Sequence, residues 1–202
     1  MRSDSREPVA TAEAASSAAV AVPATGASRY HDPRAHELRA RYLRAFGGDE
    51  IPVPVESIAE DLLGLRIELS HELDCSGVLL PAERRILLNA AEAEHGGEPI
   101  QRHRFTIAHE LGHWVCHVLG APAGAEPKPS FCRAADISQD ADRKLEREAN
   151  VFGAELLMPE EAVREAWASN ADVEAVAERF AVSRLSAQWR LYGFGLVGQR
   201  PH

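Results

Sequence analysis

Apolar and polar positions change their rhythm several times along this chain. Leu38, Tyr42, Leu43 and Phe46 recur at helical spacing after Asp32-Pro33, a pair suited to a helix start, and Gly47-Gly48 stops the run. "IPVPVESIAEDLLGL" then predicts an extended lead and a short helix from Val55 to Leu63, closed by Gly64. "RIELS" alternates as a strand does, and Gly77 to Leu80 and Arg85 to Asn89 form two β-prone runs around a proline-containing turn, a hairpin pattern. After the break at Gly96-Gly97 and Pro99, a helix runs to Gly120, with Thr106 expected as its N-cap and Ile107, Leu111, Trp114, Val115 and Val118 as its core stripe. A second long helix is expected from Lys144 to Leu157, with Leu145, Ala149, Phe152, Leu156 and Leu157 inward, and two or three short helices from Glu160 to Tyr192. No internal repeat is present.

Between the two long helices, residues 120–142 are rich in Pro, Gly, Ser and Ala, a loop long enough to be functional or mobile. Residues 1–28 carry neither period and read as a disordered tail, leaving residues 29–202 as one domain whose C-terminal helices occupy 159–196. A length of 202 residues suits one domain with tails.

Charge and composition narrow the function classes. A formal net charge of −9 argues against a broad nucleic-acid-binding face. No apolar run reaches the length of a membrane span, and Asp4, Glu7 and Glu13 spoil a basic signal-peptide start, so a cytoplasmic location is expected. Cys75, Cys116 and Cys132 are widely spaced and form no CxxC, which suggests reduced thiols.

The candidate chemistry sits in "RFTIAHELGHWVCH", residues 104–117. Residues four apart share a helix face, about 6 Å apart along the axis, so His109 and His113 can reach one metal ion. Glu110 is turned away by about 100° and can act on a bound water rather than ligate. A packed helix with polar residues on one flank would carry the same stripe, so the ion needs a third ligand to be credible. His117 lies about 12 Å from His109 along the axis, too far to share the ion, and is expected to be packed or hydrogen-bonded. On the second helix Glu146 and Asn150 share a flank. Glu146 is the favoured third ligand and Asn150 the residue that holds a ligand histidine, with Glu148 pointing elsewhere. Two imidazoles and one carboxylate suit Zn²⁺ best, with Mn²⁺ possible.

"RHRFTIAHELGHWVCH" followed by "EREANVFGAELLMP" resembles the ImmA/IrrE family of metallo-endopeptidases, and the likeness extends over about residues 30–196. The resemblance implies an α+β, zincin-like fold with a small sheet. It also implies His109, His113 and Glu146 as metal ligands, Glu110 as catalytic base, and a helix-turn-helix repressor as the protein substrate. The least similar part is the loop of residues 120–142. Arg102, His103, Arg104 and Tyr192 are candidates for stabilising an oxyanion, and Gly77 to Leu80 is the candidate edge strand for pairing with an extended substrate. The rival reading is a non-proteolytic regulatory protein with an idle metal site, whose "VEAVAERFAVSRLSAQWRLYGFG" forms a helix-turn-helix that binds a partner or offers Arg184, Gln188 and Arg190 to DNA. Glu174, Glu178 and the net charge oppose it, so direct DNA binding is not expected.

Overall fold

The computed structural model describes residues 30–48, 51–94, 99–120, 130–131 and 140–201. The expected tail of residues 1–28, most of the loop of residues 120–142, and Cys132 lie outside the described residues.

Helix α1 (Pro33–Phe46) starts where Asp32 accepts the amide of Arg34 and stops at Gly47, whose φ of 68° is the left-handed region glycine favours. Helix α2 (Val55–Ser57) widens into a π-helical turn over Ile58–Leu62, and Gly64 at φ 64° releases the chain into β1 (Arg66–Ser70). Strand β2 (Gly77–Leu80) and β3 (Arg85–Asn89) form the antiparallel hairpin, with Gly77 opposite Leu88 and Leu80 opposite Arg85. Strand β1 joins β3 in parallel, and a two-residue strand β4 (Ser130–Phe131) pairs with Val78 and Leu79. The sheet order is therefore β1-β3-β2-β4, and the fold is α+β.

This order corrects one expectation. Strand β2 is not a free edge, because β4, supplied by the long loop, covers part of its outer side. The pairing comes from a segment far along the chain, which β2's own pattern does not encode.

Helix α3 (Ala90–Glu94) leads to α4 (Pro99–His113), whose last turn continues as a π-helical turn over Trp114–Val118. Thr106 is not its N-cap. The helix begins a full two turns earlier, and the Thr106 hydroxyl instead donates to the Arg102 carbonyl at 3.0 Å. Pro99, read in the sequence as a break, is the first residue of the helix, a position where its missing N–H costs nothing. Helix α5 (Asp140–Leu157) starts slightly before the expected Lys144. Ala149, Phe152, Leu156 and Leu157 are buried, but Leu145 is 40% exposed and does not belong to the inward stripe. Helices α6 (Glu160–Ser169), α7 (Val173–Phe180) and α8 (Arg184–Gly193) complete the body.

The core lies between the sheet, through Leu79 and Ile86, and the helices, through Ile107, Leu111, Phe152 and Leu156. Helices α4 and α5 run antiparallel and touch backbone to backbone. A Cβ on Gly112 would stand 2.9 Å from Ala149 Cα, and one on Gly153 would stand 3.1 Å from His109 N. This approach brings side chains from the two helices to a common point. Gly112→Ala gains about 1 kcal/mol of helix propensity, yet its methyl meets backbone that cannot rotate away. A net loss of about 1–2 kcal/mol is expected from the overpacking, read as a lower denaturation midpoint. An unchanged or higher midpoint would show that the helices can part without cost.

Candidate functional site

Helix α4 buries His109, Glu110 and His113, while α5 presents Glu146 to them. The ligating atoms of His109, His113 and Glu146 all lie within 4.8 Å of one another. His109 Nε2 and His113 Nε2 are 3.0 Å apart. They stand 3.2 and 3.1 Å from the two oxygens of Glu146.

The partners behind the rings decide what these atoms are. His109 Nδ1 donates to the side-chain carbonyl of Asn150 at 3.2 Å, so His109 Nε2 keeps a lone pair. On the other ring, His117 Nε2 donates to Glu148 at 3.2 Å, which leaves its Nδ1 as an acceptor. His113 Nδ1 donates to that nitrogen at 3.1 Å, and His113 Nε2 also keeps a lone pair. Two lone pairs and a carboxylate then face one point, an arrangement that repels itself unless a cation lies between them. The donor set fits a divalent metal held by two nitrogens and one carboxylate.

The titration behaviour follows from the same contacts. When the two rings instead carry protons on Nε2, burial raises the Glu146 pKa, but hydrogen bonds and charge from His109 and His113 outweigh it and hold the carboxyl at about 2. Burial also opposes the charged form of His109, but Glu146, Glu110 and Asn150 together raise its pKa. His113 goes the other way: burial lowers it, and the neighbouring His109 and His117 reinforce burial against Glu146.

Glu110 is fully buried beside the triad. Asn150 stands against His109, on the flank it shares with Glu146. The residues that sequence reasoning missed are those supporting the second ring. His117 is absent from the triad and hydrogen-bonded, as its spacing predicts, and the role the spacing leaves open is that it carries His113. Glu148 does point away from Glu146, and what it finds there is His117. The signal was the repeated spacing of four in His109, His113 and His117. His117→Ala is expected to lower metal affinity about 10- to 100-fold by freeing the His113 ring, measured by chelator competition. Affinity within twofold of the parent would mean that His113 is held without it.

The oxyanion candidates separate. Arg104 is buried and donates to the Val53 carbonyl at 2.8 Å and the Ala181 carbonyl at 3.2 Å, so it ties α4 to the α7–α8 turn. His103 Nε2 lies 3.2 Å from the Asn89 carbonyl. Arg102 is exposed, and Tyr192 stacks edge-on against Trp189. None of these contacts brings Arg102, His103, Arg104 or Tyr192 to the triad. The DNA-contact candidates fare similarly: Arg190 is 4% exposed and bonded inside the protein, and Arg184 pairs with Glu174 at 2.6 Å. Arg190 is therefore withdrawn from the surface, while Arg184 stays exposed. The Cys75 thiol donates to the Gly77 carbonyl at 3.2 Å, and burial pushes the Cys116 thiol up to about 12, out of the reactive range. No helix among the described residues is long and apolar enough to cross a membrane.

Comparison with known proteins adds three findings. A family model for the IrrE N-terminal-like domain, a peptidase family, matches residues 68–192. Metallopeptidase ImmA of Bacillus subtilis (strain 168) is 27% identical over 108 residues, covering 52% of this chain and 59% of that protein. A solved structure of a Mycobacterium tuberculosis transcriptional regulator has a TM-score of 0.54 at 18% identity, covering 80% of this chain and 47% of that one. The last likeness concerns the fold alone. The chain spans less than two thirds of either relative's length.

Proposed function

Since the chain belongs to the ImmA/IrrE metallopeptidase family, whose IrrE N-terminal-like domain covers residues 68–192, we propose that it is a zinc-dependent endopeptidase acting on a helix-turn-helix repressor. The observation that carries this reading is the convergence of His109 Nε2, His113 Nε2 and Glu146 beside buried Glu110. His109, His113 and Glu146 hold the metal, and Zn²⁺ suits two neutral imidazoles and a carboxylate, with Mn²⁺ as the alternative. When bound, the ion supplies a Lewis acid for the scissile carbonyl and lowers the pKa of water.

The protein's own side chains do the rest. Asn150 and the His117–Glu148 pair fix the two rings in the tautomer that points Nε2 inward. Glu110 takes the proton of the attacking water and returns it to the leaving amine nitrogen. Its burial keeps bulk water from competing for that proton. The functional unit is residues 29–202, with the C-terminal helices at 159–196 forming one wall of the substrate cleft, and the protein works in the cytoplasm, where such a repressor acts. Cleavage of the repressor would release the stress or mobile-element genes that it silences.

Incubating the zinc-loaded protein with a panel of helix-turn-helix repressors from the same genome tests the proposal. Discrete fragments are expected, abolished by a chelator and restored by added zinc. A stoichiometrically loaded protein that leaves the repressor intact would overturn the enzyme reading.

A further inference from the structure

A groove of about 690 Å³ starts at Glu146 and runs between α5 and α8. On α5 its lining residues, from Arg143 and Glu146 through Asn150 to Ala154, follow helical spacing along one face, and Met158, just past the helix end, continues it. The stripe that carries a metal-site carboxylate therefore becomes the floor of the groove. From Glu146 to Met158 is about 18 Å of helix, the length of about five residues of extended peptide. The walls are apolar: Phe105, Val151 and Met158 from one side, Trp189 from the other, the last 41% exposed.

The rim is not neutral. Arg143 and Arg147 line the end next to Glu146, both are exposed, and neither makes an ion pair with a described residue. Two uncommitted guanidinium groups at the mouth of an apolar groove, in a protein of net charge −9, form a local positive spot. Such a spot favours an acidic partner over a basic one.

We propose that this groove receives the substrate residues on one side of the scissile bond, a bulky apolar side chain packing on Trp189 and an acidic residue meeting Arg143 and Arg147. The assignment rests on the peptidase reading, since that reading puts the reacting bond at Glu146. It names what is selected: an apolar residue with an acidic neighbour, in an extended segment.

The test uses the full chain carrying Glu110→Gln with zinc, so that bound peptides survive, and fluorescein-labelled peptides about eight residues long. One peptide carries Leu-Phe flanked by glutamates, the second Leu-Phe flanked by lysines, the third Ser-Ser flanked by glutamates. By anisotropy the first should bind about tenfold more tightly than either other. Trp189→Ala should reduce its binding about tenfold, with an unchanged circular dichroism spectrum because the side chain lies at the surface. The double variant Arg143→Glu, Arg147→Glu should exchange the preference between the first two peptides.

Equal binding of the three peptides, or indifference to Trp189→Ala, would overturn the proposal. So would a photo-crosslinker at position 186 that captures the chain's own first 29 residues in place of added peptide. The two readings fail separately. If the unsubstituted protein cuts nothing while the binding preference holds, the groove stands and the peptidase assignment falls. If it cuts a repressor at a bond lacking both an apolar and an acidic residue, the peptidase assignment stands and the groove assignment falls.

Discussion

Glu110→Gln is expected to leave zinc binding intact and to slow peptide cleavage about 10²- to 10⁴-fold. The amide nearly matches the carboxylate in shape, so the buried position on α4 stays filled. What disappears is the basicity: an amide cannot take a proton from water or return one to an amine. The atoms that could hold a metal belong to His109, His113 and Glu146, and none is altered. Metal content should stay at about one ion per chain, measured by atomic emission alongside the cleavage rate. Loss of metal in this variant would make Glu110 part of the binding set, and an undiminished rate would remove it from the mechanism.

The largest expected effect on stability lies away from that site. Arg190 on α8 and Glu155 on α5 are each about 4% exposed and form a charge-assisted hydrogen bond inside the protein. Arg190 also donates to the Met158 carbonyl at 2.9 Å and stacks its guanidinium over the Phe194 ring. Glu155→Ala removes the countercharge and leaves a buried cation, at a cost of about 3–5 kcal/mol. That is a large share of the roughly 5–15 kcal/mol that stabilises a typical domain. Replacing both partners, Glu155→Leu with Arg190→Met, should cost far less, because no unpaired charge remains. Denaturant titration of the single and double variants reads the difference. Equal destabilisation by both would mean that packing, not the lost countercharge, sets the cost.

The parts legible in the sequence are those written in short-range periods. His109 and His113 stand four apart, as do Glu146 and Asn150, and each pair meets the other in the structure. The β2–β3 hairpin and the boundaries of α1 were equally local, set by turn residues and by Asp32 and Gly47. What escaped depends on contacts between distant segments. The covering of β2 by β4 needs residues more than fifty positions downstream. The burial of Arg190 and Arg104 is invisible locally, since an arginine on an amphipathic helix reads as solvated until a carboxylate or a carbonyl is found beside it. Leu145 errs in the opposite sense. It has the spacing of an inward residue, but it precedes the stretch where α5 touches α4 closely through Ala149 and Gly153.

Arg190 makes one further bond, to the main-chain carbonyl of Tyr30 at 2.6 Å, and the ring of Tyr30 lies against Gly193. Tyr30 also lines the groove. A reporter dye coupled just ahead of Tyr30 is therefore anchored beside the groove, at the end marked by Arg190 and Met158, where its emission can register peptide arrival without any label on the peptide. By the same geometry a bulky tag joined directly to Tyr30 would start beside the groove, and kinetic work on such a shortened chain is better served by a tag placed elsewhere.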